Sequence, residues 1–312
     1  MKHIAIVGIG GISQKAYLPY LRQLTGIQWH LFTRNQAVLE ETASLFHRVT
    51  TYQSMEDLLV APLDGVLIHA ATVAHVELAI HFLSRGIPVY MDKPLAETYT
   101  EAKSLYDLAA AHDTFLMTGF NRRFAPRVAE LKAVADKTKI RVEKNDTNRT
   151  GDKTFKLFDF FIHPLDTALF LANGRAVEGD FRYQLTADGQ LRQVAVTLTT
   201  DQDELVQVGM NFQSGSRYEI MEVQSPSGTY QLENLDSLRI WQGEDVLNKN
   251  FGSWDTTLYK RGFETTVDQF LQALETGQNP VDPTSSLLSH FFIDQINQST
   301  TTSGKLVVTL PE

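Results

Sequence analysis

The stretch Asp159-Phe-Phe-Ile-His163-Pro-Leu-Asp166 carries three ionisable groups inside an apolar run from Phe155 to Leu171. Buried charge is costly unless it is paired or used, so these side chains need partners. On a helix, positions i, i+4 and i+7 share one side. Asp159, His163 and Asp166 then line one edge while Phe158, Phe161, Leu165 and Leu169 pack inward. Proline lacks an N–H and fits a helix best near its first turn. Pro164 therefore predicts a helix that begins around Asp159, with Asp159 as N-cap and His163 just inside the positive end. A carboxylate that orients a histidine suits acid/base chemistry at a substrate oxygen. The competing reading is structural: His163 satisfies a backbone carbonyl, and Asp166 either reaches substrate or bonds a backbone N–H. One Asp–His pair with no further clustered histidine does not make a metal site.

Three other stretches could do chemistry. The apolar run Ile4–Val7 ends in Gly8-Ile9-Gly10-Gly11-Ile12-Ser13. Glycines there let a pyrophosphate approach the backbone, and the N–H groups of a following helix bind its charge. Ser13 stands where G-x-G-x-x-G has its third glycine, and it is small enough for close helix–strand packing. The second strand, Ile27–Phe32, ends in Thr33-Arg34-Asn35 with no carboxylate for a ribose 2′-hydroxyl. A hydroxyl and a guanidinium suit a 2′-phosphate, so NADP(H) is favoured and NAD(H) is the alternative. Asp92-Lys93-Pro94 follows a later strand and aims a lysine at the carboxyl edge of the sheet, although composition alone equally allows a surface lysine.

These residues need elements to position them. Through about residue 121, strands at Ile4–Val7, Ile27–Phe32, Arg48–Tyr52, Gly65–Ile68, Val89–Met91 and Thr114–Met117 alternate with helices. That order predicts an α/β fold with a doubly wound parallel sheet, whose ligands bind at the carboxyl ends of the strands. Those ends carry Gly8–Ser13, Ala70–His75, Met91–Pro94 and Gly119–Arg123. Ala70, His75 and Lys93 thus join the cofactor candidates, with His75 also suited to a capping or packing role. Ser54-x-x-Asp57 and Thr98-x-x-Glu101 read as capping boxes. Beyond residue 121 strands dominate, joined by turns such as Asp188-Gly189 and Ser227-Gly228, and predict a large, mainly antiparallel open-faced sheet. The expected domains are 1–121 for dinucleotide binding and 122–312 for substrate binding and oligomerisation. Val206, Val208 and Met210, with Phe212 following, form an apolar side that predicts burial against a second subunit, as a homodimer or homotetramer.

The 312 residues suffice for two domains. A net charge of −9 without a basic stripe argues against nucleic acid as a partner. The absence of cysteine excludes disulfides, thiolate metal ligands and cysteine nucleophiles. Ile4–Ile12 is too short for a membrane span, and the expected setting is the cytoplasm.

The glycine turn, Asp92-Lys93-Pro94 and Asp159-x-x-x-His163 together resemble the Gfo/Idh/MocA oxidoreductase family across essentially the whole chain, and Gly119-Phe-Asn-Arg-Arg-Phe124 resembles its MviM-like branch. The resemblance implies a Rossmann domain followed by an α/β domain, and hydride transfer between a nicotinamide and a sugar, polyol or cyclitol-like substrate. It implies that Lys93 contacts substrate and nicotinamide, that Asp159 orients the base His163, and that Asn121 or Arg122 contacts substrate. Asp92 departs from the family's usual glutamate before the lysine. Relatives that keep the fold without turnover make a non-catalytic dinucleotide-binding regulator or scaffold the alternative.

Overall fold

A computed structural model describes residues 1–311. The chain forms two compact units: Met1–Gly119 with Phe263–Pro283, and Phe120–Gly262 with Thr284 onward. In the first unit, strands β1 (Lys2–Val7), β2 (Ile27–Phe32), β3 (Val49–Tyr52), β4 (Gly65–Ile68), β5 (Val89–Asp92) and β6 (Leu116–Gly119) form one sheet in the order β3-β2-β1-β4-β5-β6. Every pairing in it is parallel. Ile4, Ala5, Ile6 and Val7 are buried, as are all four residues of β4, because helices cover both faces of such a sheet. Ser54 and Thr98 accept the backbone N–H of Asp57 and Glu101, as the capping signals predict. Helix Phe263–Thr276 belongs to this unit although it follows eight of the nine strands of the second sheet in sequence. Its Phe270 packs on Tyr90 and Phe115, and Asn279 just beyond it donates to the Leu116 carbonyl.

The second unit holds a nine-stranded sheet. Its members are β7 (Lys139–Asn145), β8 (Ala176–Leu185), β9 (Leu191–Thr200), β10 (Leu205–Asn211), β11 (Tyr218–Ser225), β12 (Gly228–Glu233), β13 (Ser237–Gln242), β14 (Asp245–Lys249) and β15 (Ser303–Lys305). The order is β14-β13-β12-β11-β7-β10-β9-β8-β15, antiparallel throughout except for the parallel β10–β7 pair. The final strand is short, Ser303–Lys305. β14 escaped the sequence reading because almost every residue in it is exposed and it shows no apolar alternation. One face of the sheet packs on Phe158, Phe161, Ile162 and Leu165 from the helix after β7, and on Phe292, Ile293 and Ile296 from helix Pro283–Gln298.

This packing corrects the expected subunit face. Val206, Val208, Met210 and Phe212 are buried in the unit's own core. The opposite side of the central strands carries Arg141, Glu143, Ala195, Thr197 and Gln207, all at least partly exposed. Period-two alternation identified the apolar side, but not that helices cover it.

The helix carrying His163 also starts elsewhere than predicted. Asp152, not Asp159, is the N-cap and accepts the N–H of Phe155. Helical structure then runs from Lys153 through a π-helical stretch, Lys156–Phe161, into the α-helix Ile162–Leu171. The wider turn lets the N–H of Ile162 reach the Leu157 carbonyl just before Pro164, so the proline enters without ending the helix. The first helix uses the same device: π-helical Ser13–Tyr17 precedes α-helical Leu18–Leu21, which contains Pro19. Asp159 therefore sits inside a helix, and His163 lies beyond the reach of its positive end.

Candidate active site

The first unit builds a cradle at the carboxyl ends of β1, β2 and β4. Gly8 has φ +87°, and a Cβ there would meet the Ala70 backbone nitrogen at 2.6 Å, so only glycine lets β1 and the segment after β4 approach this closely. Gly10 and Gly11 face open space, with nothing within 4 Å of a built Cβ. Gly8, Gly10, Thr33, Arg34 and Ala70 line one cavity of about 610 Å³. Its size lies in the range for cofactor pockets. Its floor is bare backbone beside a helix start at Ile12 and Ser13, and its rim offers a guanidinium with no carboxylate at the end of β2. This donor set fits a dinucleotide.

Ser13 is fully buried, and its hydroxyl meets Nδ1 of His69 at 3.3 Å. His69 was not anticipated from sequence. It stacks on Tyr17, lines the cavity, and its Nε2 has no hydrogen-bond partner. Burial and the nearby His75 bring its pKa down to about 3. His75 is buried as well. Its Nδ1 lies 2.7 Å from the Pro94 carbonyl and its Nε2 3.0 Å from the Ala70 carbonyl, so it ties the end of β5 to the segment after β4.

Lys93 follows β5, and its bond to Pro94 is cis. Its neighbour Asp92 receives a hydrogen bond from Tyr17, whose hydroxyl also meets that of Tyr90 at 2.9 Å. Burial raises the Asp92 carboxyl, while the charge of Lys93 and the Tyr17 bond oppose the rise. A shorter aspartate thus occupies the glutamate position and is anchored by a tyrosine pair.

In the second unit the three residues after Phe120 have distinct partners. The Asn121 side chain is buried and donates to the Arg261 carbonyl at 2.7 Å, so its amide nitrogen serves the fold. Arg122 is buried and donates twice to Glu219, at 2.5 and 3.0 Å. Its Nη1 lies 2.8 Å from Nδ1 of His163. A guanidinium only donates, so Nδ1 accepts and the ring proton sits on Nε2. Arg123 clamps Asp166 with bonds of 3.0 and 2.5 Å, and Ser289 donates to the same carboxylate. Asp166 is 1% exposed. In place of a backbone N–H, this carboxylate takes a buried arginine and a serine hydroxyl. Asp159 and His163 remain half-buried on the helix while Phe158, Phe161 and Leu165 face the core.

The apolar pattern of the second sheet fails at one end. Ile140 and Val142 on β7 point inward, and the next inward positions are Lys144 and Asp146. On β11, Met221 and Val223 point inward, and the corresponding position is Glu219, the register partner of Lys144. These residues line a cavity of about 330 Å³ with Arg149, Phe160, Arg217 and Arg261. Burial alone would raise the Glu219 carboxyl, but Arg122, Lys144 and Arg261 bring it down to about 2. Broken alternation at positions 144, 146 and 219 was the sequence signal for this site, and it went unread.

Comparison with known proteins gives the family. Residues 2–120 match the model described as "Oxidoreductase family, NAD-binding Rossmann fold", and residues 126–243 match "YceM-like, C-terminal domain". The putative oxidoreductase YceM of Salmonella typhimurium is 32% identical over 282 residues, covering 89% of this chain and 91% of that protein. A Gfo/Idh/MocA family oxidoreductase from Vibrio cholerae superposes with a TM-score of 0.89 at 32% identity, over 96% of this chain and 97% of the other. The dehydrogenase MviM from Clostridium difficile gives 0.88 at 28% identity, over 95% and 98%. An inositol 2-dehydrogenase of Corynebacterium glutamicum is more distant, 23% identical over 70% of each chain. With its strand order, its glycine cradle and relatives that match along nearly its full length, the chain belongs to the Gfo/Idh/MocA family of oxidoreductases with an NAD-binding Rossmann fold.

Proposed function

We propose that the protein moves a hydride between NADP(H) and the carbinol carbon of a sugar, polyol or cyclitol-like substrate. Gly8, Gly10, Gly11, Ile12 and Ser13 would hold the pyrophosphate, and Thr33 with Arg34 the 2′-phosphate. When bound, the nicotinamide supplies the hydride donor or acceptor. The inositol 2-dehydrogenase among the relatives supports a polyol-like substrate.

The observation that carries the reading is the bond from Arg122 to His163. With the proton on Nε2, His163 would meet a substrate oxygen as a donor. Full loss of that proton would produce an imidazolate, so His163 in this state polarises a carbonyl and does not itself protonate an alkoxide. The Lys93 ammonium supplies the proton and stabilises the developing oxygen anion. This arrangement favours carbonyl reduction. In the oxidative direction the same groups act in reverse: neutral Lys93 takes the hydroxyl proton while His163 holds the oxygen through its Nε2–H.

His163→Ala is expected to lower turnover by roughly 10²–10⁴-fold in steady-state assays, while NADPH binding is retained. Unchanged kcat in both directions would remove His163 from the chemistry.

A further inference from the structure

The cavity at the end of the second sheet is strongly biased in charge. The chain as a whole carries −9. The lining of this cavity includes Lys144, Arg149, Arg217 and Arg261 with two carboxylates, Asp146 and Glu219, and Arg122 lies behind Glu219. Each carboxylate is already engaged. Arg217 donates to Asp146 at 2.8 Å, and Arg149 pairs with it at 3.5 Å. Glu219 takes two bonds from Arg122.

Arg261 is the informative member. It is half-buried, and among the described residues its guanidinium makes no hydrogen bond or ion pair. Burial and the like charge of Arg122 push its pKa down, and Glu219 only partly opposes this. Its backbone is fixed: Asn121 donates to its carbonyl, and Gly262 beside it packs directly on the Asn121 and Ala125 backbone. A guanidinium half-buried among like charges is destabilising by itself, and an incoming anion would relieve it. The cavity is also coupled to His163, because Glu219 in its wall holds Arg122, and Arg122 bonds the histidine.

We propose that this cavity receives an anionic group of the substrate, a carboxylate or a phosphate, with Arg261 and Lys144 as its receptors. The proposal rests on the oxidoreductase reading for the word substrate, and extends it from neutral sugars and polyols to sugar acids or sugar phosphates. A neutral ring would offer the Arg261 guanidinium no acceptor of opposite charge.

The test is calorimetric binding to the full-length protein saturated with NADP+, using pairs that differ in one anionic group: glucuronate against glucose, and myo-inositol 1-phosphate against myo-inositol. At least one anionic member is expected to bind about tenfold or more tightly than its neutral partner, the value of one charge-assisted contact. Which pair responds tells carboxylate from phosphate. Arg261→Gln should erase most of that preference, read as the ratio of the two affinities. Lys144→Gln should do the same to a smaller degree, and serves if the arginine variant fails to fold. Equal affinity within both pairs, or a preference that survives Arg261→Gln and Lys144→Gln, overturns the proposal. Nicotinamide absorbance judges the oxidoreductase reading separately. Preserved anion preference without turnover sinks that reading and leaves the receptor standing. Turnover of neutral members without anion preference does the reverse.

Discussion

At the scale of single residues, Arg122 holds the candidate site of the second unit together. It is buried, it takes both oxygens of Glu219, and it donates to His163. The family resemblance implied a substrate contact for it. Its real partners lie 41 and 97 residues away, and no local pattern reports such distances. His163 was legible by its type, since a histidine between two carboxylates in a phenylalanine-rich run demands an explanation. Arg34 gives the sharpest test at this scale. It is exposed at the cavity rim, and no carboxylate accompanies it at the end of β2. Arg34→Ala is expected to weaken NADPH binding by roughly tenfold or more and NADH binding much less. Equal losses in a fluorescence titration would exclude the 2′-phosphate contact.

At the scale of elements, proline misled and glycine decided. Pro164 looked like a helix start, yet it and Pro19 each follow a π-helical stretch inside a continuing helix. The one-residue expansion that makes room for a proline comes from packing of the surrounding helix, and sequence spacing does not show it. Gly262 carries the opposite lesson. Its φ is +79°, and a Cβ would lie 2.2 Å from the Asn121 carbonyl oxygen and 2.6 Å from the Ala125 nitrogen. Both are backbone atoms and cannot swing aside. Gly262→Ala is expected to cost more than about 2 kcal/mol, from left-handed strain plus the clash. Gly189 has a similar φ of +81° and nothing within 4 Å. Gly189→Ala should therefore cost only about 1 kcal/mol. Urea unfolding of the two variants side by side checks the argument, and equal losses would show that the close approach of the Asn121 segment contributes nothing.

At the scale of the whole molecule, buried titratable groups set the acid limit. Burial lowers His69 to about 3 and His290 to about 4. The unfolded chain protonates both near pH 6.5, so between pH 6.5 and about 4 it binds more protons than the folded chain. Stability therefore falls as pH drops through that window, on the order of 3 kcal/mol per histidine by pH 4.5. Glu219, held at about 2 by its cationic neighbours against the effect of burial, adds a second loss as pH falls from the ordinary glutamate range toward 2. Urea midpoints at pH 7 and pH 4.5 should differ accordingly, and His290→Gln should flatten the difference. A pH-independent midpoint over this range would contradict the burial of these rings.

The amino-acid sequence determined the two fold classes, most strand positions, the capped helices and the glycine turn. These rest on local chemistry: alternation with period two, capping pairs, and a backbone that only glycine can bring near Ala70. Tertiary structure alone decided the partners. It spent Asp166 on Arg123, Asn121 on a backbone carbonyl and Val206, Val208 and Met210 on the unit's own core. It also gathered Lys144, Arg217, Glu219 and Arg261 around one cavity. Pairing energies depend on distances between residues that are remote along the chain. A charge at an inward position announces that a partner must exist, and only the folded chain says which one.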